Sequence, residues 1–174
     1  MGRLENRIAI VTGAGQGIGR AIALGMAREG AALVIADLDE ANAGAIKREI
    51  ERVGGKASAL YTDISNEGSV RGMIDHTLNE HGHVDILVNN AGIFPTSSVE
   101  EMAEEEWDRV IGTNLIGTFL CSRAVVSHLL TQRSGRIISL TSGRAFQGAR
   151  HGAHYAASKA GIIAFSKSLA LELA

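Results

Sequence analysis

Proline and cysteine are almost absent from this 174-residue chain, which has one of each, Pro95 and Cys121. A single cysteine excludes an internal disulfide. Cys121 lies in an apolar helical stretch and reads as a small core or interface residue. Charge of either sign is also lacking in excess. The 17 basic and 19 acidic side chains leave a net charge of −2, which argues against a nucleic-acid partner or an anionic membrane surface. No apolar run approaches the ~20 residues of a membrane span. The segment from Met1 to Asn6 lacks the apolar run of a signal peptide, and Asn6 stands where a myristoylation pattern wants Ser or Thr. The expected compartment is therefore the cytoplasm. No internal repeat, low-complexity segment or linker is visible.

Glycine, in contrast, is abundant, with 21 residues. Many glycines with a single proline point to close backbone approaches within regular elements. Hydrophobic residues make up 45% of the chain, which is normal for a globular protein and excludes wholesale disorder. The length suits one domain with a real core, so residues 1–174 are read as a single unit.

Along the chain, short β-branched apolar runs alternate with helical patterns. Arg7–Thr12, Ala32–Ala36, Lys56–Thr62, Asp85–Asn89 and Arg136–Leu140 read as strands. Helices are expected from the glycines after Thr12 to Arg28, from Asp39 to Val53 and from Ser65 or Asn66 past Leu78. A long one follows from about Glu104 to Leu130, and a last one runs from near Gly152 to the end. Asp39 and either Asn66 or Ser65 are the expected N-caps. Glu104, Glu105 and Glu106 form a favourable acidic first turn for the long helix, and Trp107 is expected in the core. This alternation predicts an α/β fold with a doubly wound parallel sheet of Rossmann type, order 3-2-1-4-5. Ligands in such a fold bind at the carboxyl ends of the strands.

Those ends carry the polar and glycine residues. Thr12-Gly13-Ala14-Gly15-Gln16-Gly17-Ile18-Gly19 follows the first strand and opens a helix. Glycines there let the backbone approach a pyrophosphate, and the helix N-terminus offers free N–H groups. Asp37 ends the second strand, where a carboxylate can accept hydrogen bonds from the adenosine ribose. It would repel a 2′-phosphate, and neither Gln16 nor Leu38 offers a cation to hold one, so NAD is expected in preference to NADP. Asp63-Ile64 is placed to meet the adenine or to form a turn. Asn89-Asn90-Ala91-Gly92 is placed to shape the cofactor floor, although Asn and Gly are also ordinary turn residues.

Tyr155 and Lys159 are four residues apart and so share one face of the last helix. A free phenol, with a pKa near ~10, is a poor base at neutral pH, and a cation nearby favours its ionised form. The six histidines make no ligand set with Cys or acidic residues at metal spacing, so no metal site is expected. His151 and His154, close to Tyr155, are read as substrate contacts or solvated loop residues.

Taken together in order, these segments resemble the short-chain dehydrogenase/reductase family over nearly the whole chain. Thr12–Gly19 is similar to its Thr-Gly-x-x-x-Gly-x-Gly turn and Asn89–Gly92 to its Asn-Asn-Ala-Gly segment. Asn114, Ser142, Tyr155 and Lys159 resemble its catalytic four. The resemblance implies a nicotinamide-dependent oxidoreductase acting on a small alcohol or carbonyl compound. In it Tyr155 would be the general acid or base. Lys159 would assist Tyr155 and bind the nicotinamide ribose. Ser142 would hold the substrate oxygen, and Asn114 would fix a water for proton relay. The cofactor contacts it implies are Thr12, Gly13, Gly15, Gln16, Gly17, Ile18, Gly19, Asp37, Asp63, Ile64, Asn90, Ala91, Gly92, Tyr155 and Lys159. A homo-oligomer formed through the long and last helices is expected by analogy.

The family pattern continues beyond where this sequence stops, with a sixth strand, a Pro-Gly segment and a substrate-covering lid. The chain is therefore expected to be C-terminally incomplete, with Ile137, Ile138 and Leu140 on an exposed sheet edge. The alternative to an active enzyme is a nucleotide-binding module or remnant with little turnover. The substrate is not specified, because the residues that usually set it belong to the lid.

Overall fold

The protein is described by a computed structural model that covers residues 2–174. Strands β1 (Ile8–Thr12), β2 (Ala32–Asp37), β3 (Lys56–Tyr61), β4 (Ile86–Asn89) and β5 (Arg136–Ser139) form one parallel sheet in the order β3-β2-β1-β4-β5. The helices between them are α1 (Gly17–Arg28), α2 (Glu40–Arg52), α3 (Glu67–His81), α4 (Glu104–Ile111), α5 (Gly117–Gln132), α6 (Arg144–Gln147) and α7 (Ala153–Glu172). The expected class and strand order hold, and the element bounds differ from the sequence reading by a residue or two. Only the short α6 goes unmarked in the sequence.

All five β1 residues are buried, because side chains of a central parallel strand alternate between two covered faces. Ile10 joins Val34 and Leu87 under Val70, Met73 and Ile74 of α3 and Cys121 and Val125 of α5. Ala9 and Val11 join Leu33 and Ile35 under Ala23 of α1 and Ile46 and Ile50 of α2. Cys121 is thus a core residue, as expected. The two helices after β2 and β3 begin at side-chain caps. Asp39 accepts from the Asn42 N–H at 2.9 Å, and Asn66 accepts from the Ser69 N–H at 2.9 Å.

The long helical region is not one regular helix. Gly112–Ile116 is a π-helical turn between α4 and α5, closed by the Gly117 N–H donating to the Gly112 carbonyl five residues back. Glu104–Gln132 contains an 18-residue window of mean hydropathy 1.4, apolar and long enough for a membrane span by composition. The sequence reading missed this, because Gly, Ser and Thr interrupt the apolar residues. Here the helix packs Val110, Leu120, Cys121, Val125 and Leu129 into the protein interior. Trp107 corrects a second expectation. It is 39% exposed, because α4 buries only Val110. At the sheet edge, β5 pairs with β4 alone and Ile138 is 50% exposed, whereas Ile137 and Leu140, expected to be exposed with it, are partly buried against the two cores.

Candidate active site

β1 lies between β2 and β4, so the connections leaving its two sides open a crevice at its carboxyl end. A cleft of about 710 Å³ occupies this place. Ten of the expected cofactor residues line it: Gly13, Gln16, Ile18, Gly19, Asp37, Asp63, Ile64, Asn90, Ala91 and Gly92. Leu38, Asp39, Thr62, Ser65, Ile93, Arg109 and Thr113 line it as well. Leu38 is weighed beside the adenosine ribose in the sequence reading, whereas the other six are not read there as cleft residues. Arg109 and Thr113 arrive from a distant helix and carry no local signal.

The glycine turn is built for a close approach. Gly13 and Gly17 have φ of +62° and +55°, the left-handed region that glycine enters without cost. A Cβ on Gly13 would come within 2.8 Å of the Ala91 Cα, and one on Gly19 would run into the Gly13 carbonyl. Gln16 gives α1 no side-chain cap, and the first turn holds no acidic residue. Its free N–H groups and the positive end of the helix therefore suit an anion such as a pyrophosphate.

Three expected contacts serve the cradle indirectly. Thr12 is buried. Its Oγ1 donates to the Val88 carbonyl at 3.3 Å and accepts from the N–H groups of Asn90 and Ala91 at 3.1 and 3.2 Å. Asn90 Nδ2 donates back to the Thr12 and Gly13 carbonyls at 2.9 and 3.0 Å. This knot fixes the ends of β1 and β4 against each other. The Gly15 N–H donates to Asp37 Oδ2 at 2.8 Å, and the Asp39 N–H donates to Asp37 Oδ1 at 2.9 Å. The Asp37 carboxylate is thereby aimed while each oxygen keeps a lone pair for a ligand. A Cβ on Gly17 would meet nothing, so glycine is favoured there by its φ alone. Asn89 turns away from the cleft, its Nδ2 donating to Ser122 Oγ at 3.0 Å and Ser139 Oγ at 3.3 Å.

Gly92 joins the cleft to the expected catalytic residues. A Cβ there would lie 3.0 Å from Asn114 Oδ1 and 3.7 Å from Lys159 Nζ. Asn114 sits in the π-helical turn and is 0% exposed. Its Nδ2 donates to the Ile93 carbonyl at 3.0 Å and to Ser158 Oγ at 3.1 Å, and its Oδ1 accepts from the Ile93 N–H at 2.8 Å. Both amide protons are therefore spent on protein, holding the post-β4 segment against α7. A π turn at such a residue is a frequent mark of a functional site.

Lys159 is buried. Its Nζ donates to the Leu140 carbonyl at 2.9 Å and lies 5.7 Å from the centre of the Tyr155 ring. Burial in this low-dielectric position pushes the ammonium below its usual pKa. Thr141 Oγ1 donates to the Lys159 carbonyl at 3.3 Å, so the end of β5 is tied to α7. Ser142 follows, half-buried, its Oγ accepting from the Arg144 N–H at 3.2 Å. The Tyr155 ring packs on Phe94 with centroids 4.3 Å apart. Phe94 also fills the space a side chain at Gly152 would need, a Cβ there lying 2.7 Å from its ring.

His154 corrects the reading of it as a substrate contact or solvated loop residue. It is 0% exposed and lies in the first turn of α7. Its Nδ1 accepts from the Tyr155 N–H at 2.8 Å, and its Nε2 sits 3.1 Å from Glu106 Oε1. His151 is exposed, with a φ of +56°. No group of three His, Cys, Asp or Glu residues suited to a metal occurs among the described residues.

Comparison with known proteins bears on what this arrangement does. An uncharacterized oxidoreductase of Thermotoga maritima is 43% identical over 171 residues, covering 98% of this chain and 66% of that protein. A 3-oxoacyl-(acyl-carrier-protein) reductase of Synechocystis sp. is 42% identical over 175 residues, covering 100% of this chain and 71% of the relative. The crystal structure of an NAD+-bound xylitol dehydrogenase matches with a TM-score of 0.95 at 31% identity, covering 98% of this chain and 66% of the other. The chain spans about two thirds of the length of these relatives. A family profile described as short chain dehydrogenase matches residues 7–174. That match runs through every strand of the sheet and the glycine turn, and it makes this chain a member of the short-chain dehydrogenase/reductase family, oxidoreductases that work with nicotinamide cofactors.

Proposed function

We propose that the chain transfers a hydride between NAD and a small alcohol or carbonyl substrate, with Tyr155 as the general acid or base. The observation that carries this reading is the junction at Gly92. There an anion-ready cleft runs into a buried lysine beside the half-buried Tyr155 ring. When bound, the nicotinamide cofactor supplies or accepts the hydride. Tyr155 gives its phenolic proton to the substrate oxygen in reduction and takes it back in oxidation. Lys159 supplies positive charge beside that ring and a donor for the nicotinamide ribose. Ser142 holds the substrate oxygen. Asn114 keeps Ile93 and Ser158 in place around them. Gly13, Gly17, Gly19 and the first turn of α1 take the pyrophosphate, and Asp63 and Ile64 border the adenine. Asp37, oriented by two backbone donors, takes the adenosine ribose and repels a 2′-phosphate.

The purified chain is mixed with NAD or NADP and a panel of ketones and alcohols, and the absorbance of reduced nicotinamide is followed. Turnover with NAD that disappears in Tyr155→Phe, with NAD binding retained, is the expected result. Turnover surviving that substitution overturns the acid/base role. Preference for NADP overturns the role of Asp37 and points to Arg109, the one cation among the described residues of the cleft. Nucleotide binding without turnover supports the alternative reading, a nucleotide-binding module with little turnover. A second copy of the chain is the proposed cover for two exposed apolar residues, Ile116 and Phe119, the latter edge-on to Phe165 of α7. Light scattering of the purified chain checks this.

A further inference from the structure

The turn that presents Tyr155 lacks an ordinary cap. Gly152 precedes α7 and has no side chain to accept from its first N–H groups, and no acidic residue lies in that turn. The Ala156 N–H reaches back to the Gly152 carbonyl at 3.0 Å. The Tyr155 N–H instead donates to the side chain of its own neighbour, His154 Nδ1, at 2.8 Å. A backbone N–H only donates, so Nδ1 carries no proton and the ring proton sits on Nε2. Nε2 then donates to Glu106 Oε1 at 3.1 Å, as a hydrogen bond from a neutral imidazole rather than an ion pair. The imidazole is wholly buried, so it has no water with which to exchange either partner.

We propose that Glu106 and His154 are a positioning pair for Tyr155. The carboxylate on α4 selects the imidazole tautomer. That tautomer leaves Nδ1 free to accept from Tyr155, and the bond fixes the backbone from which the phenol projects. Phe94 completes the setting, packed against both Gly152 and the Tyr155 ring. Neither member of the pair touches substrate in this scheme. Both act through the orientation of the phenol, so their kinetic effect rests on the oxidoreductase reading given above, whereas their effect on the ring does not.

The test uses the ring itself. The chain has two tyrosines, and Tyr61 is 57% exposed on the edge strand β3. In a Tyr61→Phe background, selectively labelled tyrosine gives one ring signal in an NMR spectrum, that of Tyr155, displaced by the ring current of Phe94. His154→Ala is expected to move that signal toward its solvent-exposed position. His154→Asn, whose side-chain oxygen can accept from the Tyr155 N–H, is expected to restore much of it. Glu106→Gln keeps an acceptor for Nε2 and is expected to leave the signal near the parent's, whereas Glu106→Ala moves it. Nitrogen shifts of labelled histidine are expected to show His154 as the neutral Nε2–H form. Where turnover is present, His154→Ala is expected to lower kcat about tenfold or more with little change in the KM for NAD, because small misplacements of a reacting group are costly. A Tyr155 signal unchanged in both His154→Ala and Glu106→Ala, or a His154 protonated at Nδ1, overturns the proposal. Should His154→Ala fail to fold, Glu106→Ala with Glu106→Gln decides the question alone. A parent chain without turnover refutes the oxidoreductase reading for this chain and leaves the NMR test intact.

Discussion

Replacing Asn114 with Ala separates a structural knot from a solvent-facing polar group. The side chain makes three hydrogen bonds while wholly buried: two donated, to the Ile93 carbonyl and Ser158 Oγ, and one accepted from the Ile93 N–H. Ser158 Oγ keeps its own bond to the Tyr155 carbonyl at 2.7 Å, so the loss falls on the two Ile93 backbone groups. Each stranded group costs about 1–3 kcal/mol, discounted because Ile93 is only half-buried, so Asn114→Ala is expected to cost about 2–4 kcal/mol. That is a large share of the ~5–15 kcal/mol that holds a domain together. For a chain of this size it corresponds to a fall in Tm of about 4–16 °C. Thermal unfolding followed by circular dichroism measures it. NAD binding well below the new Tm is expected to persist, since Asn114 does not line the nucleotide cleft. A Tm within about 1 °C of the parent would refute the reasoning, because a group whose bonds are made to water loses little when removed.

Two further outcomes follow from burial. Lys159 has its folded-state pKa pushed below the usual 10.5 by desolvation, so across the window just below that value the unfolded chain binds more protons than the folded one. Stability therefore rises with pH through that window. Lys159→Met is expected to flatten the rise in urea midpoint as pH climbs toward the ordinary lysine value of 10.5. A rise of equal size in the variant counts against the burial argument. The Cys121 thiol is buried, and its pKa is pushed up to about 12. It is expected to stay inert to an aqueous disulfide reagent until the chain unfolds, and rapid labelling under native conditions contradicts its place in the core.

The fold was largely legible in the amino-acid order. Five short apolar runs separated by helical patterns imply a parallel sheet with covered faces, and right-handed crossovers leave few strand orders. The glycine turn was legible for a steric reason. Gly13 and Gly17 adopt backbone conformations that other residues rarely enter, and Gly19 has no room for a side chain. Asp39 and Asn66 announce their helices because capping acts over three residues.

Tertiary structure alone decided what depends on partners far away in the chain. Asn114 reads the same in a regular helix as in a π turn, and its role emerges only when Ile93, 21 residues away, lies against it. Trp107 and His154 show the same blindness in opposite directions. An aromatic expected inside lies partly at the surface because its helix buries one neighbouring residue, while a histidine next to a loop is sealed in by Glu106, 48 positions earlier. Arg109 and Thr113 reach the cleft at the carboxyl end of β1 from α4 and the π turn without any local mark. Sequence patterns determine what a segment of a few residues can do by itself, and hence the class of fold and the turn that opens the cleft. Burial and hydrogen-bond partners are properties of the assembled layers, and they decide which side chains stand in the site and which hold it in place.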